Sequence, residues 1–349
     1  MKLLVSALEH SANVHLKYLV KELGDDVFLS GIFDASLGES IVDLRSTSIM
    51  GFVDAIKKLP FFFRLKDQMV ELAEKADKVL LIDSSGFNLP LAKAIRKRYP
   101  EKEIIYYILP QAWAWKKKRI PVLEKTITRL CSILPFEPFY YSPTAPIEYV
   151  GHPLLDEITI RKESLETTGK ITFMPGSRPG EIKRLMPVFQ QLRPMLDTRA
   201  LLVIPPHFTT EQIAELYGDI STFEITHEAH QSLADSDFAF ICSGTATLEA
   251  ALIGTPFILT YIAKKLDYAI ASRLVKLDYL GLGNILFSYE YQRPLHPEFI
   301  QNEVTAQNLY NAYIKMDKET FFNDAGHLRG LLEHGSAVRV SQIIKEYNV

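Results

Sequence analysis

The chain has 349 residues, 47% of them hydrophobic and 23% charged, with a formal net charge of -3. That composition suits a soluble globular protein of about two domains, and the lack of a basic excess argues against nucleic acid as a partner. The two cysteines, Cys131 and Cys242, stand inside apolar runs and read as reduced core residues of a cytoplasmic protein.

The first ten residues, MKLLVSALEH, are too short for the apolar region of a signal peptide and fit a buried first strand. Short apolar runs predict strands at 2–7, 27–33, 78–83, 103–108, 130–134 and 147–150, then at 171–174, 200–204, 222–226, 238–242 and 256–261. Between them lie helical patterns at 14–23, 54–75, 88–98, 180–195, 229–234 and 246–253. This alternation predicts an α/β protein whose parallel sheets are built from βαβ units. The two groups of strands imply two Rossmann-like domains, 1–155 and 156–325, joined through the polar stretch 156–170. Residues 326–349 read as helices that pack back on the first domain or on a partner subunit. Residues 238–263 come nearest to a membrane span, but Glu249, Gly254 and Pro256 interrupt them, so no transmembrane helix is expected.

Open α/β sheets bind ligands beyond the carboxyl ends of their strands. Four polar turns are predicted at such ends: Glu9–Asn13, Asp83–Asn88, Met174–Arg178 and Ser243–Thr245. After the first strand, Glu9 is a candidate catalytic carboxylate and Ser11 a candidate acceptor contact, while His10 is as well read as a bystander. Phe52 to Met69 sets Phe52, Ile56, Leu59 and Phe63 on one helical stripe beside Lys57, Lys58, Arg64 and Lys66. Such a segment can lie in a membrane interface or face a core with a solvated basic side. Pro60 breaks its pattern, and Phe61, Phe62 and Phe63 cannot all face one core. Asp83 ends a strand before a glycine-containing turn. Its carboxylate is placed to accept a proton from a hydroxyl, or to cap the turn. Trp113 and Trp115 precede Lys116, Lys117, Lys118 and Arg119, a pairing that suits an anionic membrane surface or a phosphate.

In the second half, Phe173 to Ile182 passes from strand through Pro175-Gly176-Ser177-Arg178 into a helix. Ser177 can cap that helix while Arg178 offers a forked, permanent cation to a diphosphate. Asp235-Ser-Asp237 matches a metal-binding D-x-D string, but it precedes a strand and reads as a structural turn, so no metal is expected. Ile241 to Pro256 runs from strand through Ser243-Gly244-Thr245 into a helix ending at Gly254. A small-residue turn and the N–H groups of Thr245 and Ala246 suit a diphosphate or ribose, and Glu249 could reach a sugar hydroxyl. Taken alone, the same stretch is also an ordinary helix capped by Ser243 or Thr245.

Together these stretches resemble the lipid-A-disaccharide synthases, glycosyltransferases of family 19. The resemblance rests on Ser48-Ile-Met-Gly51, Ile82-Asp83 with Phe87-Asn88, Trp113-Ala-Trp115, Leu134-Pro-Phe-Glu137, Val150-Gly-His152, Pro175-Gly-Ser-Arg178, Ser243-Gly-Thr-Ala246 with Glu249, Lys276-Leu-Asp-Tyr279, Asn284 and Glu298-Phe-Ile-Gln301. Each is weak alone, but their order covers residues 5–330. The resemblance implies the GT-B fold, two Rossmann-like domains with parallel sheets facing across a cleft. It implies inverting transfer from UDP-2,3-diacylglucosamine to 2,3-diacylglucosamine 1-phosphate, giving a β-1,6 disaccharide and UDP. No metal or other cofactor is implied, and the site is the cytoplasmic face of the bacterial inner membrane. Asp83 matches the family's essential aspartate, Arg178 and Asn284 match donor-site residues, and Ser243 to Glu249 match the nucleotide-binding turn and helix. Met50, Phe52 and Phe61–Phe63 are expected to line an acyl groove, with Lys116–Arg119 attracting the acceptor phosphate and the bilayer. A homodimer through the C-terminal helices is a further expectation.

The chain departs from the family pattern at Leu8-Glu-His-Ser-Ala-Asn13, which stands where Gly-Glu-Ala-Ser-Gly-Asp is usual. Ser84-Ser-Gly86 replaces Ala-Pro-Asp, and Gly283 replaces a proline. Two rival readings remain at this point: a UDP-sugar 2-epimerase of the same fold, and a UDP-sugar or lipid binder without activity.

Overall fold

The computed structural model describes residues 1–42, 59–264 and 277–346, with Trp115 described by its backbone alone. The chain forms two compact units, Met1–Glu157 with Leu332–Val349, and Ile158–Leu331.

In the first unit, β1 (Lys2–Ser6), β2 (Phe28–Ile32), β3 (Glu39–Ser40), β4 (Lys78–Ile82), β5 (Glu103–Tyr107), β6 (Arg129–Ser132) and β7 (Ile147–Tyr149) form one sheet in the order β3-β2-β1-β4-β5-β6-β7. Every pairing is parallel. Helices α1 (His10–Leu23), α2 (Leu59–Lys75), α3 (Ser85–Arg98), α4 (Ala112–Trp115), α5 (Ile120–Thr126) and α6 (Leu154–Glu157) connect the strands. Side chains alternate across a strand, so successive residues feed two cores. Leu4, Val79, Leu81, Ile104 and Tyr106 pack with Leu65, Met69, Leu91 and Ile95 of α2 and α3. Leu3, Val5, Leu80, Ile82 and Tyr107 pack on the other face with Leu16, Leu19 and Leu23 of α1. Pro60 stands in the first described turn of α2.

The second unit repeats the plan. β8 (Lys170–Met174), β9 (Arg199–Val203), β10 (Glu224–Thr226), β11 (Phe238–Cys242), β12 (Phe257–Tyr261) and β13 (Glu298–Ile300) form a sheet in the order β10-β9-β8-β11-β12-β13, again parallel throughout. Its helices are α7 (Pro179–Leu192), α8 (Thr210–Tyr217), α9 (Ala229–Ala234), α10 (Thr245–Ile253), α11 (Leu282–Tyr291), α12 (Ala306–Lys315) and α13 (Lys318–Leu331). The short strands β3 and β13 and the helices α4, α5, α6, α8 and α11 are not among those the sequence pattern predicts.

The chain then returns to the first unit as α14 (Ser336–Lys345). Val340, Ile343 and Ile344 join the core beside α1, and Ser341 Oγ and Lys345 Nζ both donate to the Glu22 carbonyl, at 3.0 and 2.9 Å. The crossing lies at 331/332 instead of 325/326 because α13 continues through Leu331. Packing on α1 occupies the apolar face of α14 that could otherwise meet a second subunit.

Candidate active site

In the first unit β1 and β4 are neighbours, but α1 leads to β2 on one side and α3 leads to β5 on the other. Their carboxyl ends therefore part at a switch point, the place where open sheets take ligands. The turn after β1 exposes Glu9, whose side chain caps nothing although it precedes α1. His10 is exposed and Ser11 half-buried. Asn13 is buried, and its Nδ2 donates to the carbonyls of Ala7 and Glu9, both at 2.8 Å. Its Oδ1 accepts from the Asp34 N–H at 2.7 Å, tying this turn to the end of β2. An ionised aspartate at this position could not donate to two carbonyls as this amide does.

The turn after β4 is strained. Asp83 has φ +48° and Ser84 φ +43°, the left-handed region that non-glycine residues seldom adopt. Three neighbours hold it there. Asn88 Nδ2 donates to the carbonyls of Ile82 (3.1 Å) and Asp83 (2.8 Å), while Asn88 Oδ1 accepts from Ser6 Oγ at 2.6 Å. Tyr106 Oη donates to the Asp83 carbonyl at 2.7 Å. These bonds grip the main chain, not the carboxylate. Burial raises the Asp83 carboxyl above its usual range, against the pull of the Ser84 N–H and of His15. His15 Nδ1 lies 2.5 Å from Glu157 Oε1, 142 residues away in sequence. The sequence alone gives Ser6, Tyr106, His15 and Glu157 no role, because each meets its partner from another element.

The aromatic residues expected at a lipid surface divide. Trp113 is buried, edge-on to Phe136 at 4.9 Å and beside Tyr140 at 6.1 Å, so it is a core residue. Phe61 and Phe62 pack on the core, Phe62 edge-on to Phe87 at 6.0 Å, and only Phe63 is exposed, at 57%. Phe139, at 78% exposure, is an exposed aromatic that the sequence did not single out. Met50, Phe52, Ile56, Lys57 and Lys58 lie outside the described residues, as do Ser48–Gly51, Lys276 and the Trp115 side chain. The basic run divides too. Lys117 Nζ sits 5.6 Å over the Tyr140 ring. Arg119 Nη1 donates to Ser85 Oγ at 3.0 Å, which places its cation beside the Asp83 turn. Burial and Arg119 together hold the Lys116 ammonium below its usual range.

In the second unit the same reversal lies between β8 and β11, which pair directly. The turn after β8 carries Gly176 at φ +103°, where a Cβ would come 2.8 Å from Glu181 Oε2 and 3.2 Å from Cys242 Sγ. Only glycine fits there. Ser177 does not cap the helix: Arg178 is the N-cap residue and Pro179 stands first in α7. Arg178 is largely exposed and pairs with Glu181 Oε1 at 2.9 Å. Arg184, further along the same helix, donates from Nε to the Ile262 carbonyl at 2.6 Å. The turn after β11 passes through Ser243 and Gly244. The N-cap residue of α10 is Gly244, so neither Ser243 nor Thr245 caps it. Thr245 and Ala246 open the helix, and Glu249 lies in its second turn, where Oε2 meets His230 Nε2 of α9 at 3.2 Å.

Asn284 is placed differently from a surface contact. It is fully buried; its Nδ2 donates to the His296 carbonyl (2.9 Å) and Glu298 Oε1 (2.8 Å), and its Oδ1 accepts from the N–H of Leu295 (2.8 Å) and His296 (3.0 Å). All four of its hydrogen-bonding positions are thus used in joining α11 to the approach of β13. Asp237 accepts from Thr168 N (2.6 Å), Thr168 Oγ1 (2.9 Å) and Gly169 N (2.8 Å), so one carboxylate of the D-x-D string holds the turn before β8.

A lipid-A-disaccharide synthetase family model matches residues 3–324. The chain is 48% identical to the lipid-A-disaccharide synthase of Helicobacter pylori over 352 residues, covering 97% of this chain and 96% of that one. It is 44% identical to the lipid-A-disaccharide synthase of Campylobacter jejuni over 370 residues, covering 98% and 99%. Among solved structures, UDP-GlcNAc 2-epimerase from Neisseria meningitidis superposes with a TM-score of 0.61 at 11% identity, covering 99% of this chain and all of that one. Acinetobacter baumannii MurG superposes at 0.56 and 14%, covering 99% of each. Those structural likenesses establish the GT-B fold, and the sequence relationships carry the assignment beyond it. The chain belongs to the lipid-A-disaccharide synthetase family.

Proposed function

We propose that this glycosyltransferase of lipid A biosynthesis moves a 2,3-diacylglucosaminyl group from UDP to the 6-hydroxyl of 2,3-diacylglucosamine 1-phosphate, with inversion. The acceptor O6 attacks the anomeric carbon, the bond to the diphosphate oxygen breaks, and UDP leaves with the electron pair. The O6 proton passes to Asp83. Charge growing on the diphosphate is offset by Arg178 and by the N-terminal N–H groups of α7 and α10. Glu249 accepts from the ribose, and Asn284 acts on the donor side through the connection it holds. The observation that carries this reading is Asp83 itself: a carboxylate at a switch point, on a strained turn held by Asn88 and Tyr106. Strain retained at a turn end is a mark of sites where position matters more than stability. Glu9, exposed beside the same switch point, is the second carboxylate available to the acceptor.

Among the described residues no helix is long and apolar enough to cross a membrane. We assign contact with the inner membrane to peripheral docking through Phe63 and the basic run ending at Arg119. The test is turnover of purified protein with UDP-2,3-diacylglucosamine and 2,3-diacylglucosamine 1-phosphate, in EDTA, following UDP. Release of UDP with formation of the disaccharide is expected. UDP-sugar turnover without acceptor would favour an epimerase, and activity restored only by magnesium would overturn the metal-free reading.

A further inference from the structure

Glu249 stands in the second turn of α10, and a free glutamate there would spread over several rotamers. His230 removes that freedom. It projects from α9, 19 residues earlier, and its Nε2 lies 3.2 Å from Glu249 Oε2. Glu249's side chain is 19% exposed and His230's 37%, so the pair stands at the surface of the second unit with the carboxylate the more enclosed partner. Nε2 can only donate to a carboxylate, which accepts through either oxygen and holds about four lone pairs in all. One bond from His230 to Oε2 therefore leaves Oε1, and one lone pair of Oε2, for a vicinal diol. A bidentate acceptor held in one rotamer recognises a cis-diol better than a mobile one, because the ordering has been done before the ligand arrives.

We propose that His230 is a positioning residue for nucleotide recognition, fixing the Glu249 carboxylate so that it takes both hydroxyls of the donor's ribose. The inference rests on the reading of Glu249 as the ribose contact. His230 touches neither diphosphate nor sugar in this scheme, so it acts on donor affinity and not on the chemical step.

The experiment compares UDP with 2′,3′-dideoxy-UDP, which lacks both hydroxyls, by calorimetry on the full chain as wild type, His230→Ala and His230→Gln. The wild type should prefer UDP. His230→Ala should weaken UDP by roughly 3- to 10-fold, the worth of one hydrogen bond, and leave dideoxy-UDP unchanged. His230→Gln should recover most of the loss, since its amide can donate to Oε2. In turnover, the donor KM should rise in His230→Ala while kcat at saturating donor stays level. An unchanged UDP affinity in His230→Ala, or an equal loss for both nucleotides, overturns the role of His230. Equal binding of both nucleotides by the wild type instead removes Glu249 as the ribose contact, and with it the reading on which the inference rests.

Discussion

At Asp83 the chemistry and the backbone are separable. Asn88 and Tyr106 hold its carbonyl, and asparagine tolerates the left-handed region as well as aspartate does. Asp83→Asn should therefore keep Tm and UDP affinity while kcat falls by ~10²–10⁴-fold, the usual worth of a general base. Retention of most turnover would leave the acceptor hydroxyl without its assigned base. The pH profile adds a second check. Burial raises the Asp83 carboxyl and His15 pulls it back down. Removing the imidazole in His15→Gln should raise it further, so the acidic limb of kcat/KM should move to higher pH. An unmoved limb would show that His15 does not act on the reacting carboxylate. Arg178 is a different case, since its guanidinium is mostly exposed while its partner Glu181 is buried, so the carboxylate depends on the pair more than the arginine does. Arg178→Ala should lower Tm, because the buried Glu181 loses its ion-pair partner, and should lower kcat/KM for the donor by about 10²-fold while the chain still folds. Arg178→Lys should recover only part, because the fork is lost.

At the scale of elements, α2 explains why three adjacent phenylalanines cannot share one fate. Successive helical residues are about 100° apart, so a core-facing stripe takes in two of the three and leaves the third in water. Phe61 and Phe62 are the two, and their rings meet edge-on at 5.5 Å. Phe61→Ser or Phe62→Ser should cost about 1–3 kcal/mol of stability in urea titrations, less than a fully buried ring would. Phe63→Ser should leave stability unchanged and weaken binding to anionic liposomes. If Phe63→Ser proves as destabilising as its neighbours, the exposed position is wrong. This division was hidden in the sequence, which shows that three rings are present but not which way the helix is turned. Trp113 is the same lesson from α4: its basic neighbours suggest an interface, while its ring completes a cluster with Phe136 and Tyr140.

Across the whole molecule, buried titratable groups set different pH responses for the two units. In each unit one histidine is fully buried and pushed down to about 3, by loss of solvent first: His152 in the first, with His15 adding to the effect, and His296 in the second. The unfolded chain binds a proton at each near pH 6.5, so this stability is present above that pH and is lost as pH falls towards 3. The first unit also buries Glu137, whose Oε2 accepts from Ser132 Oγ at 2.6 Å and whose carboxyl burial pushes up to about 8. That sign is opposite: the contribution is complete below the unfolded value near 4.5 and declines as pH rises to 8. Warming scans between pH 6 and 8 should show the first unit losing stability, and Glu137→Gln should abolish the decline because the amide is neutral throughout. A decline that persists in the variant would assign the effect elsewhere.

By itself the amino-acid sequence determined the βαβ alternation, the two groups of strands and the turns that carry Glu9, Asp83, Arg178 and Ser243 to Glu249. Those features depend on hydrophobic period and on turn-forming residues, both local and both readable within about ten positions. It did not determine strand order. That β1 lies beside β4 and β8 beside β11, which brings each pair of turns to a switch point, is a property of the folded sheets. Nor did it show that α14 returns to α1, that Asn284 spends every hydrogen bond inside the second unit, or that His15 meets Glu157 and His230 meets Glu249. Those contacts join residues between 11 and more than 300 positions apart, and no local pattern records which distant side chain will arrive. Tertiary packing decides them, because it alone sets which faces are buried and which polar atoms must then find partners.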